Sequence, residues 1–364
     1  MRLVADSGLW STGGLLAHPQ LTAVLEVSGA VLSWTVDDPA AAAQITFTDA
    51  ARADWLWRVV GEAGHSALAA ALDGRTPEAA VDLTGINVLP GSLEPLRRLA
   101  IGHWLRRWWP ASQRDGIAAL DGALLDAEIA VLTAGAQDYF TDDTFDSDVA
   151  GLLRPHAAAL SAHLHGGDPR VIELVRTCAE LADDVGVAFG EADRVTPHRD
   201  DYALAAGSDA GQYGSGAIAT GTDSVIWAAV PPGIFDAAER TVGWRIDAAD
   251  GFAKAVVRVE LSRPGLASGI AVRLRAGAFG GSGVLDADGV AAFSLVDGQQ
   301  QPVTESVAWD HDWRAAVVTV GADLKESAES PQTRERIRDF AGARLRVPAG
   351  DAFLAEVLAA ESDY

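Results

Sequence analysis

A chain of 364 residues with 49% hydrophobic and 22% charged content has the balance of an ordinary globular protein, long enough for two or three domains. Its net charge of −23 and pI near 4.6 oppose general binding to nucleic-acid phosphate and to anionic membranes. Cys178 is the single cysteine, so no disulfide can form within the chain.

The first residues, MRLVADSGLW, lack a basic start followed by a long apolar run, and no apolar stretch reaches the ~18 residues of a membrane span. With the lone cysteine, this points to a cytoplasmic protein. Lysine occurs only at Lys254 and Lys325; the other cationic side chains are arginine.

Residues 1–90 read as a small α/β region. Thr22 to Val36, TAVLEVSGAVLSWTV, is β-branched and carries a Ser-Gly turn. QITFTDAARADWLWRVV begins as a strand and turns helical, with Asp49 as an N-cap and Trp55 and Val59 at helical spacing. HSALAAALDGR is a short helix closed by Gly74, and AVDLTGINVLPG a strand and turn. Gly13-Gly14 is not followed by Lys-Ser or Lys-Thr, which excludes a P-loop there.

Residues 91–188 read as an antiparallel four-helix bundle. The first helix, Leu93 to Trp109, puts Leu93, Leu96, Ala100, Ile101, Trp104, Leu105 and Trp108 on one face and ends at Pro110. The second runs from Asp115 or Gly116 to about Ala134, with Ile117, Leu120, Leu124, Leu125, Val131 and Leu132 inward. The third, from Asp148 to His165, places Val149, Leu152, Leu153, Leu160 and Leu164 in a stripe, with Asp146 or Ser147 as its cap. After the Gly166-Gly167 turn, Asp168 caps a fourth helix that has Pro169 at its first position and Val171, Val175, Cys178 and Ala182 inward.

Polar residues interrupt these stripes. Arg97 and Glu128 fall opposite each other across the first hairpin, as a buried structural ion pair or a polar centre facing a ligand, with Asp121 as a substitute acid. His156 falls opposite Cys178, and His163 lies on the same stripe as His156. The sharper reading of His156, His163 and Cys178 is a nucleophile with its base, or metal ligands. The plainer one is a buried thiol beside a satisfied histidine. No Glu-x-x-His pair of a di-metal carboxylate bundle is present. Asp142, Asp143, Asp146 and Asp148 lack the glycine and distal glutamate of an EF-hand, and read as capping and solvation. On the other face, Arg98, Arg106 and Arg107 with Trp109 beside them read as a contact surface or as a solvated face whose arginines meet some of the abundant acids.

Residues 189–223 are rich in Gly, Ser, Asp and Thr and read as a junction. HRDDY, His198 to Tyr202, lacks the flanking motifs of a kinase. From 224 to 322, short segments bounded by Gly, Pro or Asp have the spacing of a β-sandwich. Within it, GVLDADGVAAFSL resembles the Asp-x-Asp-Gly hairpin and aromatic strand of prealbumin-like and carboxypeptidase-regulatory-like Ig-type sandwiches. That resemblance covers about residues 251–320; it implies a sandwich used for packing or contact and carries over no catalytic residue. In WDHDW, alternation puts Trp309, His311 and Trp313 on one face, a second contact surface or half of a core. The tail, 323–364, reads as two short helices that dock on the body or on a partner.

The expectation is therefore an α+β multidomain protein: a small N-terminal α/β region, a four-helix bundle, and a C-terminal β-sandwich with a helical tail. Its function is expected to be non-enzymatic interaction or scaffolding with other proteins, without a cofactor. The alternatives are a metal- or Cys/His-dependent enzyme in the bundle, and a regulator sensing a small ligand.

Overall fold

The computed structural model describes every residue except 14, 15, 17, 18, 74–79, 138, 141–145, 166, 190–215, 264, 325–328, 363 and 364. The sequence features at Gly14, Gly74, Asp142, Asp143, Gly166 and His198 to Tyr202, and most of the Gly-rich junction, lie outside the described residues. The architecture is mixed α+β, with helices and three antiparallel sheets, and divides into two compact units.

The first unit comprises Met1–Trp109, Leu120–Arg194 and Pro331–Tyr364. The ranges read from the sequence as an N-terminal region, a bundle and a tail share this unit, except for residues 110–119 and 323–330. Its sheet is built from β1 (Arg2–Asp6), β2 (Leu9–Ser11), β3 (Thr22–Val27), β4 (Ala30–Thr35), β5 (Gln44–Phe47) and β6 (Val81–Asp82), in the order β3-β4-β5-β2-β1-β6. The β3–β4 hairpin turns at Ser28-Gly29. Gly29 is required there: its φ is +74°, and a Cβ would sit 2.2 Å from the Asp49 carbonyl oxygen.

The helices of this unit are α1 (Trp57–Leu72), α2 (Glu94–Trp108), which packs on β3, α3 (Gly122–Gln137), α4 (Asp146–Leu153), α5 (Ala157–Ala162) and α6 (Pro169–Asp184). The indole of Trp104 on α2 donates to the Gln20 carbonyl at 2.8 Å, tying helix to sheet. α3 is the hub, packing on α2, α4 and α6. It starts at Gly122, later than the periodicity suggests, because residues 110–119 belong to the second unit. Leu124, Leu125, Ala127, Ile129, Ala130 and Thr133 point inward, while Val131 and Leu132 are only half-buried.

The expected single helix from Asp148 to His165 is broken. Pro155 has no N–H and clashes with the preceding turn, so α4 gives way to a 3-10 turn at Arg154–His156 before α5 begins. A second 3-10 turn, His163–His165, follows, and Leu164 is exposed. α6 starts as its sequence dictates: Asp168 accepts the Arg170 N–H at 2.7 Å, and Pro169 opens the helix.

The tail, α8 (Pro331–Arg346) and α9 (Leu354–Ser362), packs into this unit (α7, Glu305–Trp309, lies in the other). Phe340 on α8 meets Trp104 edge-on at 5.4 Å, and Phe353 is fully buried against Gly102 and Ile129.

The second unit comprises Pro110–Ala119 and Val195–Ser330. One sheet has the order β12-β9-β8-β7, from β7 (Ala219–Asp223), β8 (Val242–Ala249), β9 (Phe252–Val259) and β12 (Val290–Ser294). The other has the order β11-β10-β13, from β10 (Ala271–Ala276), β11 (Phe279–Val284) and β13 (Val317–Val320). Both bury alternate residues in a shared apolar core that includes Trp244, Val257, Leu274, Phe293 and Val318. The Asp-x-Asp-Gly segment does not close a hairpin within one sheet. Asp286 accepts the Asp288 and Val290 N–H groups, and the turn carries the chain from β11 in one sheet to β12 in the other.

The inserted segment 110–119 is fixed by Asp236, which is 3% exposed. Its carboxylate accepts Ser112 Oγ at 2.7 Å and the Gln113 N–H at 2.8 Å, as well as the Ala238 N–H at 2.9 Å. No helix among the described residues is long and apolar enough to cross a membrane.

Candidate functional site

The polar residues that interrupt the helical stripes find other partners than those expected. Arg97 and Glu128 do not pair. Glu128 holds Arg98, and Arg97 reaches Asp351 at 3.5 Å. The reason is helical phase and the tail: one residue along α2 turns the side chain by ~100°, and the segment before α9 supplies Asp351. Glu128 also accepts the Leu354 N–H at 2.7 Å, which places its carboxylate at the N-terminus of α9. Burial, with Glu356 adding to it, raises the Glu128 pKa above its ordinary value against the opposing pull of the Leu354 N–H and Arg98.

His156 does not face Cys178. Its Nε2 lies 3.1 Å from Oδ2 of Asp126 on α3. Cys178 donates to the Ala127 carbonyl at 3.4 Å, and burial, with Glu128 adding to it, pushes its thiol up to about 12. A thiol so protonated is a poor nucleophile and metal ligand. His163 sits half-buried in the turn after α5. Among the described residues no group of three or more His, Cys, Asp or Glu side chains is placed to hold a metal ion.

The sequence reading overlooked Asp126. It is 5% exposed, and its other oxygen takes Arg106 at 2.9 Å. Arg106, expected on a contact face, is thus tied to a buried carboxylate. His103, one turn before Arg106, has its pKa lowered by burial and by Arg106, against the opposing pull of Asp126 and Asp148. Arg107 stacks over Trp108 at 4.4 Å, and Trp109 is half-buried.

In the second unit, WDHDW is not a strand. Trp309 ends α7 and is 53% exposed, whereas Trp313 opens a 3-10 turn and is 6% exposed. His311 and Trp313 do meet, at 4.6 Å, with Phe279 beside them. A groove of about 390 Å³ runs past His311, Trp313 and Trp244, but both indoles are buried and offer little free ring surface.

A second exposed aromatic cluster lies on the first unit, around Trp55, the one member of it named from the sequence. Trp55 and Phe140 are buried and meet edge-on at 5.5 Å. Tyr139 packs on both, at 6.3 Å from Trp55 and 5.2 Å from Phe140, and its hydroxyl donates to the Ser92 carbonyl at 3.0 Å. The Arg58 guanidinium lies over the Tyr139 ring at 5.7 Å and over the Trp57 ring at 5.0 Å. Trp57 is 46% exposed.

A backbone break completes the surface. Gly61 adopts φ +74° and interrupts α1. The Val59 carbonyl, which would serve the helix, instead accepts the Leu89 N–H at 2.7 Å. That bond ties the segment carrying the exposed Val88 and Leu89 to α1 two residues after Trp57. The signal was present in the sequence: residues two apart on a helix face in different directions, so with Trp55 buried, Trp57 points outward.

Comparison with protein-family models, curated proteins and solved structures gives no match to this chain.

Proposed function

We propose that the protein is a non-enzymatic cytoplasmic interaction or scaffold protein, and that Trp57, Arg58, Tyr139, Val88 and Leu89 form a protein-contact surface. The observation that carries this reading is the Arg58 guanidinium held between the Trp57 and Tyr139 rings, on a floor of buried Trp55 and Phe140. Trp, Tyr and Arg are the side chains that dominate binding hot spots. A pre-ordered cluster loses little side-chain entropy when a partner docks. An exposed indole, with Val88 and Leu89 on the segment tied to the same helix, gives the apolar centre such contacts use. With this function we read the two sheets of the second unit as a β-sandwich, and α2, α3, α4 and α6 as a bundle.

The test is photo-crosslinking in the host, with a benzophenone amino acid at position 89. A discrete adduct is expected that disappears in a Trp57→Ala, Arg58→Ala background of unchanged thermal stability. The reading is overturned by the absence of any adduct, or by one that is indifferent to both substitutions.

A further inference from the structure

This inference concerns the second unit and is independent of the Trp57 surface. We propose that the outer edge of β7 and the groove beside it bind an extended peptide segment of a partner protein, apolar at alternate positions and carrying a carboxylate for Arg314.

The two sheets of this unit meet differently at their two sides. At one side, Gly280 on β11 and Val296, just after β12, exchange backbone hydrogen bonds at 3.0 and 2.8 Å. At the other, β7 ends one sheet and β13 the other. A side chain joins them there: Asp223, the last residue of β7, accepts the Val318 N–H at 3.1 Å. From Ala219 to Thr222 the strand pairs with β8 alone. Alternate N–H and C=O groups of such a strand point away from its neighbour. Among the described residues, no backbone or side-chain group bonds them. Exposed edges in native proteins are guarded by lysine, proline or a bulge. Ala219 to Thr222 has no lysine or proline, and its register with β8 is unbroken.

This edge lines a groove of about 390 Å³, together with Trp244, His311, Trp313, Arg314 and Ala316. Small residues leave the space. Ala219 and Gly221 are half-buried between the exposed Thr220 and Thr222. Gly221 has to be small, because a Cβ there would sit 2.3 Å from Cζ2 of Trp244.

A row of donors and acceptors at strand spacing is matched by another extended backbone. Because both indoles are buried, backbone bonds supply most of the contact. Ile218, Ala219 and Ala316 on the lining favour an apolar side chain at every second position of the ligand. His311 adds an unmet group, since its Nε2 is buried without a hydrogen-bond partner. Charge narrows the choice further. Arg314 is the one Arg, Lys, Asp or Glu among the described residues lining the groove. Its ion pair with Asp312 is long, at 3.8 Å, and both side chains are largely exposed. A ligand carboxylate therefore has a cation to meet, while the negative field of the rest of the chain is screened beyond ~8 Å at physiological salt.

The test titrates capped peptides in which valine alternates with threonine, one residue being glutamate, into the isotope-labelled full chain. Amide shifts and hydrogen exchange are read by NMR. Saturable binding is expected, with slowed exchange within Ala219 to Thr222. Two further peptides are N-methylated on the valines or on the threonines, which removes the donors of one edge or the other. One of the two should bind about tenfold more weakly and the other as before. Arg314→Glu should weaken the glutamate peptide several-fold and favour its lysine counterpart. The proposal is overturned by no saturable binding, by two N-methylated peptides that behave alike, or by shifts that leave β7 untouched. A dimer of the free protein with protected β7 amides would give the edge to a second copy and overturns it as well. Trp57→Ala should leave the titration unchanged; loss of binding in that variant would move the peptide to the Trp57 surface.

Discussion

Arg344 and Glu356 are joined inside the first unit by two parallel hydrogen bonds, Nε to Oε1 at 2.5 Å and Nη2 to Oε2 at 2.7 Å, with side chains only 7% and 0% exposed. Glu356 also accepts the Phe353 N–H at 2.9 Å, which caps α9 from within, and Arg344 takes Asp351 at 3.0 Å. Burial disfavours the Arg344 charge, but Glu356 and Asp351 outweigh it and raise its pKa. Removing one partner strands the other, so Glu356→Ala should cost on the order of 3–5 kcal/mol in urea denaturation. Replacing both together, Arg344→Met with Glu356→Leu, should recover most of that loss, because two desolvated charges are exchanged for apolar packing. A single substitution costing under about 1 kcal/mol would show that the pair is solvated in solution.

The same pair shows where sequence reasoning stops. The β3–β4 hairpin, the Asp168 cap with Pro169, and the two tail helices are local features, carried by turn chemistry and periodicity within a few residues. The ion pairs are not local. Periodicity places Arg97 and Arg98 on one helix and Glu128 on the next, but Asp351, some 250 residues further along, decides that Arg97 turns to the tail and Arg98 takes Glu128. Asp126 escaped notice because its partners come from two other elements, Arg106 on α2 and His156 after the Pro155 break. The contact surface was half legible: the WLWR run gives its side chains, but only the backbone bond from Leu89 to Val59 ties the second segment to the same helix.

His103 offers a test of the charge arrangement around Asp126. Burial and Arg106 hold its pKa below the ordinary 6.5, while Asp126 and Asp148 oppose them. A base with a depressed folded pKa resists protonation in the native state, so stability is present above the unfolded value and falls as the pH drops below it. Histidine resonances followed by NMR should titrate lower for His103 than for a free imidazole. Asp126→Asn should lower it further and Arg106→Gln should raise it. Shifts of the opposite sign in either variant would contradict the assigned contacts.

Cys178 predicts the alkaline limb of stability. Its thiol is raised from an ordinary 9.0 to about 12 by burial and by Glu128. The unfolded chain therefore loses this proton at lower pH than the native one, and the thiol's contribution to stability, complete below 9.0, is lost as the pH rises toward 12. Cys178→Ala should flatten that decline. In the native wild type at pH 8, a thiol reagent should react with Cys178 only at the rate of global or local opening, and at once after unfolding. Rapid stoichiometric labelling of the native protein would show an accessible thiolate and revive a chemical role for this residue.

Asp236 predicts the behaviour of the inserted segment. Three hydrogen bonds converge on a carboxylate that is 3% exposed, two of them from Ser112 and Gln113. The Ala237 N–H adds a backbone bond to the Ala111 carbonyl at 3.0 Å, and Arg114 adds bonds to the Glu239 and Arg240 carbonyls at an exposed position and at 3.2 and 3.4 Å, so Asp236 is the main side-chain attachment. Asp236→Ala leaves a buried hydroxyl and two N–H groups without their acceptor, a loss of about 3 kcal/mol or more from charged hydrogen bonds. Asp236→Asn keeps the shape but can accept through one oxygen only, and should fall between. Hydrogen exchange resolves the effect locally: the Gln113 and Ile117 amides, the latter bonded to the Ser112 carbonyl at 2.8 Å, should lose protection in Asp236→Ala before the β8–β9 amides do. Uniform loss across both sheets would mean that the segment is integral to the core of the second unit. Unchanged protection at Gln113 would mean that the carboxylate does not hold it.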